Sequence, residues 1–335
     1  MQTVILTAKE VRQLMPMADC MEWVAGALEK YSTGRSVNPL RRGVLIPDGR
    51  GLVVLMPGYL SQPEALGLKA VTIFHGNHGT ELDSHQGVVV LFDTQTGVPT
   101  AILDASEVTA IRTAAASGVA TRLLARADAD TLAVLGSGVQ ARTHIEAMLV
   151  ARPVTIVRVY SPNRENRERL ATWFRRRTDA TVDAVDTARE AVEGASIVCT
   201  TTSAKEPVVE GEWLSPGTHI NAVGACIPKA RELDDAAVAK ARMFVDSRES
   251  AMNESGDFLL AREAGAIGDD AIEGEIGELL AGRIDGRRTD GEITLFNSLG
   301  IAVEDLATAH HVLARALEQD VGARVALGGL RDAGD

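Results

Sequence analysis

A glycine-rich turn between an apolar run and a helical pattern is the first feature of this chain that could do chemistry. The run at 132–135 leads into GSGVQA at 136–141, and helical spacing follows. Gly136 permits a tight turn, Gly138 leaves the backbone open to a pyrophosphate, and Ala141 allows close packing of helix on strand. The free N–H groups at a helix N-terminus attract phosphate. The same residues also suit an ordinary strand–turn–helix corner, so the neighbouring elements must decide.

The end of the next predicted strand, 154–160, bears on which dinucleotide would bind. An enzyme restricted to NAD commonly has Asp or Glu there to accept from the ribose 2′-hydroxyl, and this chain has neither. Ser161, Asn163 and Arg164 instead offer hydroxyl, amide and cationic groups that suit a 2′-phosphate. This favours NADP(H), with NAD(H) as the second choice, although Arg164 could simply be an exposed residue in the first turn of a helix. The predicted cofactor contacts are Gly136, Ser137, Gly138, Val139, Gln140, Ser161, Asn163, Arg164, Thr201, Val223 and Gly224.

Two cations lie in apolar surroundings and need anionic partners. Arg112 lies in TAIRTAAAS at 109–117, within a predicted helix, and could serve a cofactor phosphate or a substrate carboxylate. The alternative for Arg112 is a surface salt bridge. Lys69 lies in GLKAVTIF, an apolar strand pattern, where the alternative is a charge that keeps an edge strand soluble.

The elements that position these residues follow two different patterns. Residues 7–34 read as helices, capped by Thr7 and started by Pro16, and 38–104 reads as a mainly antiparallel sheet region. A connecting helix is predicted over 105–126. Strands and helices then alternate from 131 to 246, which is typical of a doubly wound parallel sheet, so the fold class is α/β and the glycine turn is favoured as a cofactor loop. Residues 247–288 read as helical, with Glu273, Glu275 and Glu278 on a solvated face. A last helix is predicted over 301–319, and its apolar positions, Leu317 among them, are expected to pack onto the first domain.

Composition limits the kind of protein. The 335 residues favour two domains, and the net charge of −12 argues against nucleic acid or an anionic membrane as a partner. No apolar run approaches the roughly 18 residues that span a bilayer, and no signal peptide precedes the first helix, so we expect a cytoplasmic protein. Cys20, Cys199 and Cys226 are widely spaced and fit no metal-binding pattern, so no metal site is predicted.

Several ordered motifs resemble those of the ornithine cyclodeaminase/mu-crystallin family. The resemblance extends through nearly the whole chain and rests on these stretches: MPGY at 56–59, GLKAVTIF, SHQ at 84–86, TAIRTAAAS, LGSGVQA, INAVGA at 220–225, RELDD at 231–235, VDSRESAMNESGD at 245–257 and SLGIAVED at 298–305.

The resemblance implies a Rossmann dinucleotide-binding domain, placed at 119–299, and an α+β substrate-binding and dimerisation domain from 1–118 and 300–335. Members use NAD(P) on small α-amino or α-imino acids, and a homodimer is expected. By position, Arg41, Lys69 and Arg112 resemble the cluster that holds the substrate carboxylate, and Thr113 resembles a cofactor-phosphate ligand. His85 is a candidate proton donor, and a structural histidine is the alternative. His75 and His78 are predicted loop residues.

One departure from the family narrows the expected chemistry. Cyclodeaminases carry an acidic residue shortly after INAVG, whereas Cys226 occupies that position here and is expected to line the substrate pocket. Mu-crystallin-type members, which resemble ketimine reductases, also lack the acid. The sequence therefore predicts NAD(P)H-dependent reduction of cyclic ketimine carboxylates, such as pyrroline-2-carboxylate or piperideine-2-carboxylate, with catalytic roles for Lys69, Arg112 and His85. The alternatives are a cyclodeaminase, an amino-acid dehydrogenase acting on an open-chain imine, and a non-catalytic protein that binds a small carboxylate.

Overall fold

The computed structural model describes residues 2–77 and 80–328. His78 and the end of the last predicted domain segment, 329–335, lie outside the described residues. The strands are β1 (Thr3–Leu6), β2 (Ser36–Val37), β3 (Arg42–Leu45), β4 (Leu52–Ser61), β5 (Glu64–Ile73), β6 (His85–Phe92), β7 (Pro99–Asp104), β8 (Thr131–Leu135), β9 (Ile156–Tyr160), β10 (Thr181–Ala184), β11 (Ile197–Thr200), β12 (His219–Ala222), β13 (Ala241–Val245), β14 (Ile272–Glu275), β15 (Ile293–Asn297) and β16 (Ala323–Val325).

The helices lie between these strands along the chain. They are α1 (Ala8–Leu14), α2 (Met17–Ser32), α3 (Ala105–Leu124), α4 (Val139–Ala151), α5 (Arg164–Arg175), α6 (Ala188–Val192), α7 (Asp235–Lys240), α8 (Arg248–Glu254), α9 (Gly256–Glu263), α10 (Ile276–Leu280) and α11 (Ala302–Glu318). None of the helices within 2–77 and 80–328 is long and apolar enough to cross a bilayer.

The chain divides into two compact units. One comprises Met1–Arg112 with Ile301–Asp335, and the other comprises Thr113–Gly300. The division falls within α3, between Arg112 and Thr113, rather than between 118 and 119. The substrate-binding and dimerisation role of the first domain and the dinucleotide-binding role of the second remain predictions.

The first unit is built on an eight-stranded sheet. Its order is β16-β1-β7-β6-β5-β4-β2, with β3 also paired to β4, and β4 to β7 run antiparallel as predicted. Thr7 caps α1 in a capping box with Glu10, which confirms the predicted helix start. Alternate residues of β4, among them Val54, Met56 and Leu60, are buried on the face of the sheet that α11 and α2 cover.

The opposite face of this sheet leaves large apolar side chains exposed. Leu55 of β4 and Val88 of β6 flank Ala70 of β5 in register, and the two are 41% and 39% exposed. Leu66 of β5 is also 39% exposed on this face, and Val44 of the edge strand β3 is 64% exposed. An apolar face of this kind on a folded domain usually marks an interface.

The second unit is a doubly wound parallel sheet, which confirms the predicted α/β class. Its order is β10-β9-β8-β11-β12-β15-β13-β14, and every pairing is parallel. The order reverses between β8 and β11, and the crevice at the carboxyl ends of the strands there is where such folds bind dinucleotides. The glycine turn at 136–138 follows β8 directly and therefore lies at this switch point.

Three predictions for the C-terminal half were wrong. The stretch 272–275 is strand β14 rather than helix, and β15 was not assigned. Glu275 and Glu278 form a capping box at the start of α10, and Glu275 also accepts the backbone N–H of Arg248, so these two acids are structural rather than a solvated face. Leu317 of α11, predicted to pack, is 52% exposed.

Two arginines anchor the end of α3. Arg152 donates to the carbonyls of Arg122 and Ala125, and Arg287 donates through Nε to the carbonyl of Leu124. These bonds occupy carbonyls that a helix C-terminus otherwise leaves without intrahelical partners. The helix that carries Arg112 and Thr113 is therefore firmly held at its far end.

Candidate active site

A buried cluster of charge lies in the first unit. Lys69 Nζ is 2.9 Å from the Asp305 carboxylate and donates to Thr109 Oγ1 at 3.2 Å. Arg112 donates through Nε to Asp305 at 2.9 Å and through Nη1 to Glu304 at 2.7 Å. The four charged side chains are at most 4% exposed, so the two cations and two carboxylates are fixed in one arrangement away from water.

Three elements supply this cluster. Lys69 takes one of the alternate positions of β5 that face α11, and Arg112 lies on α3. Glu304 and Asp305 lie in the first turn of α11, where a carboxylate also interacts favourably with the helix dipole. Burial of a charge is costly unless it is paired, and here each charged group compensates its neighbours.

The surroundings shift the pKa values of the two cations in opposite directions. Burial, together with the charge of Arg112, lowers the pKa of Lys69 to about 8, although Asp305 opposes the shift. Burial also works against the charged form of Arg112, but Asp305 and Glu304 outweigh it and raise the pKa of that guanidinium. Arg112 is therefore a permanent cation, whereas Lys69 can release a proton near neutral pH.

The other residues predicted to meet the substrate differ in where they lie. Arg41 precedes β3, is half-buried, and its charge contributes to the lowered pKa of Lys69, so the three predicted cations are close enough to interact. His85 begins β6 and is exposed, with Nδ1 3.0 Å from Ser84 Oγ. Its strand position is four residues from Val89, the partner of Lys69, which is roughly 13 Å along the sheet.

Glu304 and Asp305 are site residues that the sequence motif contained without an assigned role. They belong to SLGIAVED, which contributed only to the resemblance. The signal that could have identified them is a pair of adjacent acids in an otherwise apolar helix, together with buried cations elsewhere that lack partners nearby in sequence.

The glycine loop in the second unit has the form of a dinucleotide cradle. Gly136 has a φ of 124°, and a Cβ there would lie 2.6 Å from Thr201 Oγ1, so only glycine fits. Gly138 is the N-cap of α4, and a Cβ there would meet nothing within 4 Å. Gly136 thus fixes the turn, while Gly138 leaves open space in front of the helix N-terminus.

The other residues of the glycine loop also fit a dinucleotide-binding site. Val139 is 52% exposed at the first position of α4, and Ser137 and Gln140 are half-buried. Gln140 Oε1 is buried and accepts no hydrogen bond within 2–77 and 80–328. An open helix N-terminus beside an unsatisfied buried amide oxygen fits a bound dinucleotide phosphate and its ribose.

The three residues predicted to meet a 2′-phosphate directly follow β9. Ser161 is buried, and its hydroxyl donates to the carbonyl of Asn163 at 3.2 Å. Asn163 is the N-cap of α5 and accepts the N–H of Asn166 with Oδ1. Arg164, the first residue of α5, is exposed. The Ser161 hydroxyl and the Asn163 Oδ1 atom each form a hydrogen bond within the chain, and Arg164 is an exposed cation.

The remaining predicted residues follow strands β11 and β12 or lie in helix α3. Thr201 follows β11 and donates both its N–H and its hydroxyl to the carbonyl of Leu135. Val223 and Gly224 follow β12, and Thr113 is buried in α3 directly after Arg112. Cys226 is half-buried, and its thiol donates to the carbonyl of Val223 at 3.2 Å.

Within the described residues, no group of three or more His, Cys, Asp and Glu is placed to hold a metal ion. The buried cluster itself consists of an ammonium and a guanidinium held by carboxylates. Such a pair can bind a planar carboxylate and can hold or donate a proton.

Comparison with known proteins identifies the group to which this chain is related. The model of the ornithine cyclodeaminase/mu-crystallin family matches residues 1–320. The chain belongs to the ornithine cyclodeaminase/mu-crystallin family. A Delta(1)-pyrroline-2-carboxylate reductase from Bacillus cereus is 37% identical over 322 residues, covering 96% of this chain and 99% of that protein. The ketimine reductase mu-crystallin of Mus musculus is 39% identical over 308 residues, with 91% and 94% covered.

A solved member of the family has nearly the same fold. It is the Thermococcus litoralis Delta(1)-pyrroline-2-carboxylate reductase in complex with NADH and L-proline, with a TM-score of 0.94 and 38% identity over 96% of this chain and 100% of that one. The residues that the family model matches, 1–320, include the buried cationic cluster and the glycine loop.

Proposed function

We propose that this chain reduces cyclic ketimine carboxylates, such as pyrroline-2-carboxylate or piperideine-2-carboxylate, to cyclic amino acids with NAD(P)H. The observation that carries the proposal is the buried Lys69–Arg112 pair with its lowered lysine pKa, in a family member whose relatives include reductases of this substrate class. Residues of the glycine loop hold the cofactor. When bound, the reduced nicotinamide supplies the hydride that the imine carbon accepts.

The substrate carboxylate binds to the cationic cluster. Arg112 donates through Nε to Asp305 and through Nη1 to Glu304, and we assign its Nη2 edge to the substrate carboxylate. Arg41, near enough to influence Lys69, adds a second guanidinium. The carboxylates already fix the side chains of the cations, so these side chains lose little conformational entropy when the substrate binds. This favours a near-attack geometry.

Lys69 supplies the proton that reduction requires. Reduction of a C=N bond adds hydride to the carbon and a proton to the nitrogen, so a donor must lie beside the imine. An ammonium with a pKa near 8 is mostly protonated at neutral pH and gives up its proton more readily than an ordinary lysine. His85 remains the second candidate donor.

This role gives the reaction a pH dependence with a definite sign. The Lys69 ammonium is intact below a pKa of about 8 and is lost above it, so kcat/KM should fall about tenfold per pH unit on the alkaline side. In Lys69→Arg the fixed guanidinium should remove this decline while lowering kcat, because arginine holds its proton. Steady-state profiles of both proteins check this. A wild-type profile that stays flat well above pH 8 would remove Lys69 as the titrating group.

For the cofactor we propose NADP(H) in preference to NAD(H). The end of β9 carries no carboxylate to repel a 2′-phosphate, and Arg164 is an exposed cation in the first turn of α5. In Arg164→Ala the Kd of NADPH should rise by about three- to tenfold and that of NADH should change less than twofold. Fluorescence titration of the two cofactors measures this. Equal affinities in the wild type, or no change for NADPH in the variant, would refute the preference.

We propose that two copies of the chain pair through the exposed apolar face of the first unit. Leu55 and Leu66 lie on that face, and a charged residue there should oppose burial. Light scattering should give twice the 35.5 kDa chain mass for the wild type and the chain mass for Leu55→Glu/Leu66→Glu. Val150→Glu, at an exposed apolar residue of α4 in the second unit, should remain dimeric. A monomeric wild type, or a dimeric double variant, would exclude this face.

A panel of cyclic and open-chain imines, tested with each reduced cofactor, tests the activity itself. Loss of reduced-nicotinamide absorbance with cyclic imines is the expected result. Ammonia release from ornithine or lysine without net cofactor turnover would instead indicate a cyclodeaminase. Turnover only with open-chain imines would indicate an amino-acid dehydrogenase, and tight ligand binding with no turnover would indicate a binding protein.

A further inference from the structure

A single buried carboxylate joins two loops that carry predicted cofactor residues. Glu232 is fully buried, and its Oε2 accepts the Thr200 hydroxyl and the backbone N–H of Gly224, each at 2.7 Å. Its Oε1 accepts the backbone N–H of Thr202 at 2.6 Å. Thr200 and Thr202 flank Thr201 after β11, whereas Gly224 follows β12. Glu232 therefore fixes the ends of two neighbouring strands to one another.

The contact between these loops is too close for any residue larger than glycine. A Cβ at Gly224 would lie 2.1 Å from the carbonyl oxygen of Thr202 and 2.6 Å from Glu232 Oε1. The glycine at this position thus allows its own N–H to reach the carboxylate. The loop after β12 and the loop after β11 meet directly over Glu232.

A second buried acid holds Glu232 in place. Asp257, in the first turn of α9, accepts the backbone N–H groups of Glu232 and Leu233 with Oδ1 at 2.8 and 3.0 Å. Its Oδ2 lies 3.4 Å from Asn297 Nδ2, at the end of β15. Burial raises the pKa of Asp257 to about 7, and the charge of Glu232 adds to the shift. The two acids thus link three strand ends at the carboxyl edge of the sheet.

Burial of the Glu232 carboxylate costs free energy, which indicates that the residue serves the cofactor site rather than stability alone. Desolvation raises the pKa of Glu232, and the hydrogen bonds from Thr200, Thr202 and Gly224 oppose that rise. A core that needed only stability would be served at least as well by an apolar side chain. All three donors to this carboxylate instead belong to segments at the dinucleotide-binding edge.

The sheet order indicates which part of the cofactor lies at those segments. In a doubly wound fold the half formed by β8 to β10 carries the phosphate turn and the adenosine ribose, so the half that begins with β11 and β12 receives the other nucleotide. We propose that Glu232 is a positioning residue for the nicotinamide half of the dinucleotide, and that Asp257 keeps Glu232 in position. The inference rests on the proposed use of NAD(P)H.

Replacement of one oxygen by an amide tests this role. In Glu232→Gln the NH₂ group must face the backbone N–H of either Thr202 or Gly224, so the two loops should separate. The Kd of NADH should rise by at least about tenfold, whereas the Kd of ADP-ribose, which lacks nicotinamide, should stay within about twofold of wild type. Calorimetric titration measures both ligands on the full chain. Asp234→Asn, an acid-to-amide change at the N-cap of α7 two residues away, should leave both affinities unchanged.

Thr200→Val provides a milder variant, because it removes one donor and keeps the shape of the side chain. It should weaken NADH in the same direction by a smaller factor, and it serves as the test if Glu232→Gln does not fold. Equal losses for NADH and ADP-ribose, or no loss for either, would overturn the positioning role. A wild type that binds neither of these ligands and does not bind NADPH would instead refute the proposed function, so the two failures can be told apart.

Discussion

Arg112→Ala should lower kcat/KM for a cyclic ketimine carboxylate by about 2 to 5 kcal/mol, which corresponds to roughly thirtyfold to several thousandfold. Two losses add together in this variant. The substrate carboxylate loses its buried guanidinium, and Glu304 and Asp305 lose the permanent cation that compensates their burial. Removal of one partner from a buried pair leaves uncompensated charge, so the variant should also unfold at a lower temperature. Steady-state kinetics and thermal unfolding measure the two effects.

The control must separate a damaged site from a damaged fold. Arg122→Ala changes an exposed arginine of the same helix and should keep kcat/KM within about twofold of wild type. The glycine loop belongs to the second unit, so NADPH affinity in Arg112→Ala should remain near the wild-type value. An unchanged kcat/KM in a correctly folded Arg112→Ala protein would remove this residue from the site.

Gly138→Val should abolish cofactor binding while it leaves the fold nearly intact. The residue has a φ of −88° and ψ of −164°, which a β-branched residue adopts readily, and the space in front of its α-carbon is open. A valine there would occupy the position of the pyrophosphate and break charge-assisted bonds to the loop N–H groups. The Kd of NADPH should rise by at least about a hundredfold, since each such bond contributes about 1.5–3 kcal/mol. The stability should fall by no more than about 1 kcal/mol.

Gly136→Ala is the informative comparison for this variant. Its Cβ would collide with Thr201, and its φ of 124° disfavours any L side chain, so this variant should lose stability as well as cofactor binding. Calorimetry for stability and fluorescence titration for NADPH separate the two cases. NADPH affinity in Gly138→Val equal to that of the wild type would show that the loop does not hold a pyrophosphate.

The parts of the molecule that were predictable from sequence depend on local patterns. The strand–glycine–helix turn at 131–141, the capped start of α1 and the alternation that builds the parallel sheet are each encoded within a few residues of one another. Family motifs added Arg41, Lys69 and Arg112 as a group. The structure shows that these three cations interact, which no local pattern could have shown.

The features that escaped prediction depend on contacts between distant residues. Lys69 and Asp305 are 236 residues apart in the chain, and Glu232 meets Thr200 across 32 residues, so neither pairing leaves a periodic signal. Strand β14 has the sequence IEGE, whose two glutamates give it no apolar strand pattern although Ile272 and Gly274 are buried. The hydrogen bond from the Ser161 hydroxyl to the carbonyl two residues away was also not predicted.

The most direct test of the central claim follows the hydrogen itself. Purified protein should be given pyrroline-2-carboxylate and NADPH that carries deuterium at the transferable position of nicotinamide C4, and the product should be analysed by mass spectrometry and NMR. The expected product is proline with one deuterium at Cα, formed at the same rate as NADPH is oxidised. Unlabelled proline, or ammonia released from ornithine with no net consumption of cofactor, would contradict it.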